Sequence, residues 1–503
     1  MNPWIPHLLR AGGGGGGPVL PSAGRTMLAN LTSSLILDEG TGGPTWSRAT
    51  KAWAFNELGY LEEIASGCAF FGGARLVRNL VPTPSNTLAV AGTKTVTLTQ
   101  TATLQFSMGA GAGTATFSGT GGATGTLAAG AGRVSVNKTV TAGTFIVTAS
   151  VADLVDLSIV DVTNYDASYV PEYVSVGVVA SPFFGAGIDG AKYFETDWQG
   201  APIAAANLLG FRREASAINN LLHSRDLSNA AWSTKTNITA AKTAIGLDGI
   251  ANTATTLTAT ASDAIILQPI TLASAARCSS TYVRRRTGTG VVSFTQDGGS
   301  TWTPLTFTGV YGRGEITSTL ANPSVGFKIS TSGDAIDVDC VQNEAGAKAT
   351  SPIVTTTAAV TRNVDSLTYQ TAGNIDSSVG TLFTVALSNI SSATRGMVYV
   401  GSSYFGTTSA SATTSFRIND GTTNLTKSGL SAIDSAPRKR AGSWGPAGLS
   451  VTGDGLAPSV GAFDGAFGNG AIINIGEGLN GYIGPVAIYN YQMTDAELQA
   501  ITA

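Results

Sequence analysis

Apolar and polar residues alternate at every second position through most of this chain, the period of a strand with one face buried. From Thr87 to about Val162 the alternation is nearly unbroken, as in TKTVTLTQTATLQFSMG, with threonine set against β-branched and aromatic residues. Residues 31–80 carry shorter apolar stretches punctuated by Glu39-Gly40, Gly42-Gly43-Pro44 and Leu58-Gly59, which predicts hairpins. Strand-length runs return from Leu221 to Thr357, with turns at Asp297-Gly298-Gly299 and Ser332-Gly333-Asp334, and again from Asn363 in TLFTVALSNI, GMVYVGSSYF and TSFRINDGTTNLT. One break stands out. Alternation stops at Tyr491, and Thr494 followed by Asp495 and Glu497 predicts a capped final helix.

The fold class that follows is all-β: tandem antiparallel β-sandwich or jelly-roll modules. Composition shifts and turn clusters place a terminal peptide and glycine hinge at 1–24, a hairpin-rich region at 25–82 and a first sandwich at 83–182. A Pro/Gly-marked bridge at 183–220, a second sandwich at 221–357 and a final domain at 358–503 complete the expected order. The two sandwiches read as copies of one module. RLVRNLVPTPS (75–85) parallels SAINNLLHSRD (216–226), TFIVTASVADLVDLSIVDV parallels STYVRRRTGTGVVSFTQDG, and ASYVPEYV parallels ATSPIVTT, in the same order. GAGAGTATFSGTGGATG lacks the GxGxxG spacing and the later acidic residue of a dinucleotide site, so it reads as turn glycine.

Length and charge narrow the field. At 503 residues the chain needs three or four domains of about 100–150 residues each. Charged residues make up 12%, half the usual value of about 25%, and the net charge of −3 supplies no field for phosphate backbones or anionic lipid. Nucleic acid is not an expected partner. No apolar run reaches the roughly 18 residues of a spanning helix, so membrane insertion is not expected either. MNPWIPHLLRAGGGGGGP lacks the order of a secretory signal. Its Trp4, Ile5, Leu8 and Leu9 form an apolar peptide on the glycine tether 12–17, either a disordered terminus or an anchor that orders inside a larger assembly.

Candidate chemistry is sparse. Only His7 and His223 could serve a serine or cysteine triad, and neither sits in a nucleophile motif. Asp334, Asp337, Asp339 and Glu344 cluster as a glycosidase pair would require, with Asp337 and Asp339 sharing a strand face. The expectation is no enzyme, no cofactor and no metal, although Asp454 and Asp464 are the places where calcium would be sought. Cys68, Cys278 and Cys340 match no ligand spacing and read as buried hydrophobes. Sugar binding asks only for aromatic faces beside polar groups, for which Trp232, Trp302, Trp444, Tyr404 and Asn480 are the candidates, with Tyr399 and Asp454 nearby. The same tryptophans serve equally as core. Arg284-Arg285-Arg286 and Arg438-Lys439-Arg440 could grip an acidic polysaccharide or form solvated edges, with Arg284 and Arg286 on one face and Arg285 on the other.

Two likenesses carry a functional expectation. GYIGPVAIYNYQMTDAELQAI resembles the closing strand and helix of concanavalin A-like, or laminin G-like, sandwiches, in which the strand ends a sheet and the helix covers its edge. NLLHSRDLSNAAW, TYVRRRTGTG and the phrase Gln342, Glu344, Gly346, Thr350, Ser351, Ile353 resemble modules of bacteriophage tail and virion proteins, themselves similar to carbohydrate-binding jelly rolls; Pro352 and Val354 depart slightly from the pattern. TWSRATKAWAFNELGYLEEI before RLVRNLVP is similar to the same group. The resemblance implies a protein on the exterior of a phage particle, a homotrimeric fibre or spike. It would be anchored in capsid, collar or tail proteins by its N-terminal peptide and bind host surface polysaccharide. A ligand-free head-decoration or collar protein and a polysaccharide depolymerase are the alternatives.

Overall fold

The final strand, Gly481–Tyr489, organises the largest sheet of the protein. The fold is a computed structural model describing residues 20–81, 92–149, 157–163, 165, 168, 173–174 and 191–503, less 57, 99, 111–112, 120, 389–394, 410–413, 434–435 and 469. One side of Gly481–Tyr489 pairs with Gly380–Ser388. Along its other side Arg25–Ala29 and Gly210–Arg213 pair end to end, in the registers Leu28↔Ala487 and Phe211↔Ile483. Gly210, at φ +103°, permits that second pairing: a Cβ there would lie 2.1 Å from the Ile483 carbonyl oxygen. The sheet has eight strands. Its partner, with seven, runs from Thr45–Ser47 through Ser366–Gln370, Ile472–Ile475, Arg395–Val400, Ser403–Ser409 and Thr414–Asn419 to Asn424–Leu430.

These two sheets enclose one core. Trp46 meets Phe211 edge-on at 5.2 Å, and Trp444 stacks on Phe467 at 4.4 Å beside Phe405. The last domain is therefore not a continuous stretch from 358. Strands from 25–82 and 183–220 complete it, because a sheet accepts any segment whose hydrogen-bonding edge and apolar alternation fit, wherever the chain supplies it. Nor is Gly481–Tyr489 an outer strand. The helix Asp495–Thr502 covers the outer face of the sheet instead of its edge: Leu498 and Ile501 pack with Phe383, Ala441, Ala487 and Tyr489. Its cap follows the sequence, with Thr494 and Glu497 forming a reciprocal capping box.

Two smaller sandwiches are inserted into this base. The first stacks Gly125–Ala128, Thr114–Gly119, Gly143–Ala149 and Gly92–Leu98 on Val134–Val140, Ala102–Met108 and Ser158–Asp161, around Phe106 stacked on Phe117 at 4.3 Å. The glycine-rich stretch turns here, with Gly121 and Gly122 at positive φ. The second is built from two five-stranded sheets over strands from Thr234–Thr236 to Ala335–Ala345, around Trp232, Phe294 and Phe327. Each insertion leaves and re-enters the base through a two-stranded neck, Arg75–Arg78 with Ala191–Phe194 and Ala217–Asn219 with Val360–Arg362. Among the described residues every strand pair in these sheets is antiparallel, and Asp495–Thr502 is the one α-helix.

The internal repeat is visible in one side chain. Asn79 donates to the Leu157 and Val174 carbonyls and accepts from the amides of Val81 and Ile159. Asn219 donates to the Val341 and Ile353 carbonyls and accepts from the amides of Leu221 and Asn343. All four hydrogen bonds are equivalent. Asn79 thus matches Asn219, one residue away from the alignment the sequence suggests, and the strand Ser158–Asp161 matches Ala335–Ala345 instead of the VVSFTQDG stretch. A local likeness of letters fixes order but not register, whereas an amide bridging two strands fixes both.

Replacing Asn219 with alanine leaves two carbonyls and two amides unsatisfied in a buried site, so N219A is expected to cost about 3–5 kcal/mol, read as an earlier denaturant midpoint. Truncation after residue 479 removes the partner of three strands. It should expose residues 25–80 and 366–479 to protease while a fragment near 220–357 survives digestion.

Candidate functional site

Most of the candidate residues are spent inside the structure. Trp232 and Trp444 are fully buried, and their indole nitrogens donate to the carbonyls of His223 and Asp376, so neither can offer a face to a sugar. Trp302 is half-buried beneath Lys328, whose Nζ lies 5.4 Å from the ring. Asn480 donates its amide to Ala349 across the joint between base and second insertion, at 3.3 Å. Trp4, Ile5, Leu8 and Leu9 lie outside the described residues. The three cysteines are buried and none is in a disulfide, and burial pushes the Cys278 thiol up to about 12.

The acidic and basic runs neutralise each other. Arg284 and Arg286 both reach Asp337, Arg285 reaches Asp334 on the opposite face, and Arg225 holds Asp339 with two parallel bonds of 2.7 and 2.8 Å. Each of these carboxylates thus has its oxygens turned to a guanidinium. Arg440 is buried on Asp454 at 2.6 Å, and Arg438 and Lys439 are bonded to the Ala432 and Ala503 carbonyls. Asp464 accepts from Thr422. Among the described residues no three His, Cys, Asp or Glu side chains converge as a metal would require.

The phrase Gln342 to Ile353 forms a joint. Gln342 donates to Glu344 and accepts from the Ile353 amide, Thr350 donates its hydroxyl to Glu344, and Ser351 binds Glu214 through both its amide and its hydroxyl, at 2.8 and 2.6 Å. Glu214 also meets Arg212 at 2.7 Å and Arg362 at 3.1 Å, while Arg362 and Arg48 hold Asp365. Burial alone would raise the Glu214 pKa; the two guanidiniums beside it outweigh burial and hold the carboxyl well below its usual range. At Glu344 burial prevails over its hydrogen bonds and the pKa rises.

The outer face of the seven-stranded sheet is different, because its polar side chains are presented. Directly opposed residues on neighbouring antiparallel strands share a face. The pairs Thr45↔Thr368, Thr368↔Asn474, Asn474↔Tyr399, Tyr399↔Tyr404, Tyr404↔Asn419 and Asn419↔Asn424 therefore form one unbroken row. It crosses all seven strands, about 29 Å at a strand spacing of about 4.8 Å. The inward neighbours Leu367, Ile473, Val398, Phe405 and Ile418 are buried and fix the orientation. At the centre the Tyr399 and Tyr404 rings lie 5.3 Å apart, tilted by 38°, and both are half-exposed. Tyr399 leans over Gly396, where a Cβ would come within 1.7 Å of the ring. Asn419 is the exception: it is buried, accepts from the Gly421 amide and donates at 2.7 Å to Asn424, which is exposed.

Sequence reading named Tyr404 and Tyr399 but not Asn419, Asn424, Asn474 or Arg417. A signal existed: in Asn419-Asp420-Gly421-Thr422-Thr423-Asn424 the Asp-Gly turn sets two asparagines opposite each other. Asn474 carried none, since its pairing with Tyr399 spans 75 residues (474 − 399).

No protein-family model and no curated protein matches the chain. Among solved structures, the N-terminal CBM22-1–CBM22-2 tandem domain of Xyn10C from Paenibacillus barcinonensis is 11% identical over 55% of this chain and 98% of that chain, with a TM-score of 0.19. A superposition at that score carries no argument about ligand; the all-β class rests on the strand pairing itself.

Two measurements follow. Substituting G396A should displace Tyr399 with no change in the core, seen as altered tyrosine fluorescence at an unchanged melting temperature. For the joint, a depressed carboxyl pKa contributes stability that is complete above the unfolded range near about 4.3 and lost as pH falls toward the folded value. Denaturation of wild type and E214Q should differ by about 3–5 kcal/mol at neutral pH, the gap narrowing by roughly 1.4 kcal/mol per pH unit below about 4.

Proposed function

We propose that this chain is a structural protein of the bacteriophage exterior, a fibre or spike that binds host surface glycans through the outer face of its seven-stranded sheet. The observation that carries glycan binding is the row centred on Tyr399 and Tyr404 and flanked by Asn474 and by Asn424, which the buried Asn419 holds in place. Tyrosine faces accept the apolar C–H side of a pyranose, and carboxamides, which both donate and accept, suit its hydroxyls. The virion assignment draws on the sequence resemblance, as does association into homotrimers. Attachment falls to Trp4, Ile5, Leu8 and Leu9 on their glycine tether, with capsid, collar or tail proteins as the partners.

A second reading, a decoration or collar protein without ligand, draws on the joint. The residues that carry the phage likeness, Gln342, Glu344, Thr350 and Ser351, serve packing between modules.

Particles carrying Y399A and Y404A together should assemble normally yet adsorb to host cells at least about tenfold more weakly, the worth of about 1.4 kcal/mol of lost stacking. Unchanged adsorption would favour the ligand-free reading. Deleting residues 1–17 should lower the copy number on purified particles without altering the melting temperature of the isolated protein.

A further inference from the structure

Arg417 occupies the position two residues before Asn419, on the same outward face and one step from the row. Phe416 and Ile418, its neighbours in sequence, are buried in the core, so the alternation leaves no doubt about its side. Across the sheet it faces Thr426 on one strand and Gly406 on the other, and Gly406 faces Gly396 in turn. The two glycines leave a side-chain-free strip running from Arg417 towards the ring of Tyr399, which lies over Gly396.

The bonding of this arginine differs from that of the others near carboxylates. Arg225 is closed on Asp339, Arg362 on Glu214 and Arg440 on Asp454. Arg417 donates Nε to the Thr426 hydroxyl at 3.2 Å, which orients the guanidinium plane. Among the described residues no carboxylate pairs with it, and its two terminal nitrogens have no protein acceptor. A half-exposed guanidinium, held by one bond and offering its remaining edge, is the arrangement that takes a planar anion through two parallel hydrogen bonds.

We infer that the face selects an acidic glycan, a polymer of hexuronic acid units, with sugar rings seated on Tyr399 and Tyr404 and a ring carboxylate on Arg417. This rests on the glycan-binding reading and adds the charge of the ligand to it. The low charge of the face supports the assignment. The other members of the row are neutral, and among the described residues Arg417 has no carboxylate partner; Asp464, at the turn beside Asn424, is held by the Thr422 hydroxyl.

The test uses the full-length protein and matched polymers: polygalacturonate, polymannuronate and polyglucuronate, each against its own carboxyl-reduced form, with binding followed by affinity electrophoresis at low and high salt. At least one uronate should bind about tenfold or more tightly than its reduced counterpart, the preference shrinking with salt. R417Q should abolish the preference while leaving the melting temperature and the binding of the reduced polymer unchanged. R417K, which keeps the charge but loses the planar fork, should retain only part of it. Equal binding of acidic and reduced polymers, lost in Y404A and unchanged in R417Q, would overturn the acidic assignment and leave glycan binding standing. Preference for a sulfated polymer over every uronate would also overturn it. Binding to none of these polymers would remove both readings.

Discussion

The backbone pairing of Gly481–Tyr489 is the constraint on which the remaining architecture depends. Three segments, at 25–29, 210–213 and 380–388, meet on this one strand. The chain between the first of them and its partner is more than 450 residues long, as Leu28 pairs with Ala487. Loop-closure entropy must be met before such a contact returns any stability, and long-range antiparallel pairing of this kind slows folding. The insertions face no such delay. Their strands find one another within about 60 to 120 residues, a more local search, so the small sandwiches can form first and bring the distant parts of the base closer together.

Ionic groups follow a division of labour. Glu214 and Asp365, both buried, bind Arg48, Arg212 and Arg362 where the second insertion joins the base, and Asp339 is held by Arg225 within the insertion. A buried charge without its partner is costly, so these pairs discriminate strongly against any other docking of the module while contributing little net stability. The exposed face of the seven-stranded sheet follows the opposite rule: its described side chains include neutral amides, two phenols and the Arg417 guanidinium, held in place by the core beneath them.

Much of this was legible in the chain and some could not be. Period-two alternation and turn residues disclosed the strands, as at Ala102–Met108 and Thr414–Asn419, and Thr494 with Glu497 disclosed the helix. These signals are local. Which sandwich a strand belongs to is not local: Thr45–Ser47 shows its partner Ser366–Gln370 only through a match of edges that no nearby residue encodes. Tryptophan was ambiguous for a related reason, since the indoles of Trp232 and Trp444 suit a core as well as they suit a sugar, and only their surroundings decide. Tyr399 was legible because it sits in a strand with an apolar neighbour on each side, Val398 and Val400, whereas Arg417 looked like any strand-borne charge until Gly406 was known to face it.

The paired necks give the molecule a property beyond its own stability. Because the outgoing and returning strands of each insertion lie side by side, a module meets the base at two points separated by a single strand spacing. Any domain whose ends are similarly close could occupy the same socket without altering the sheet beneath. Genetic exchange at these two places would replace a whole module in one event while leaving the base sheets as they are.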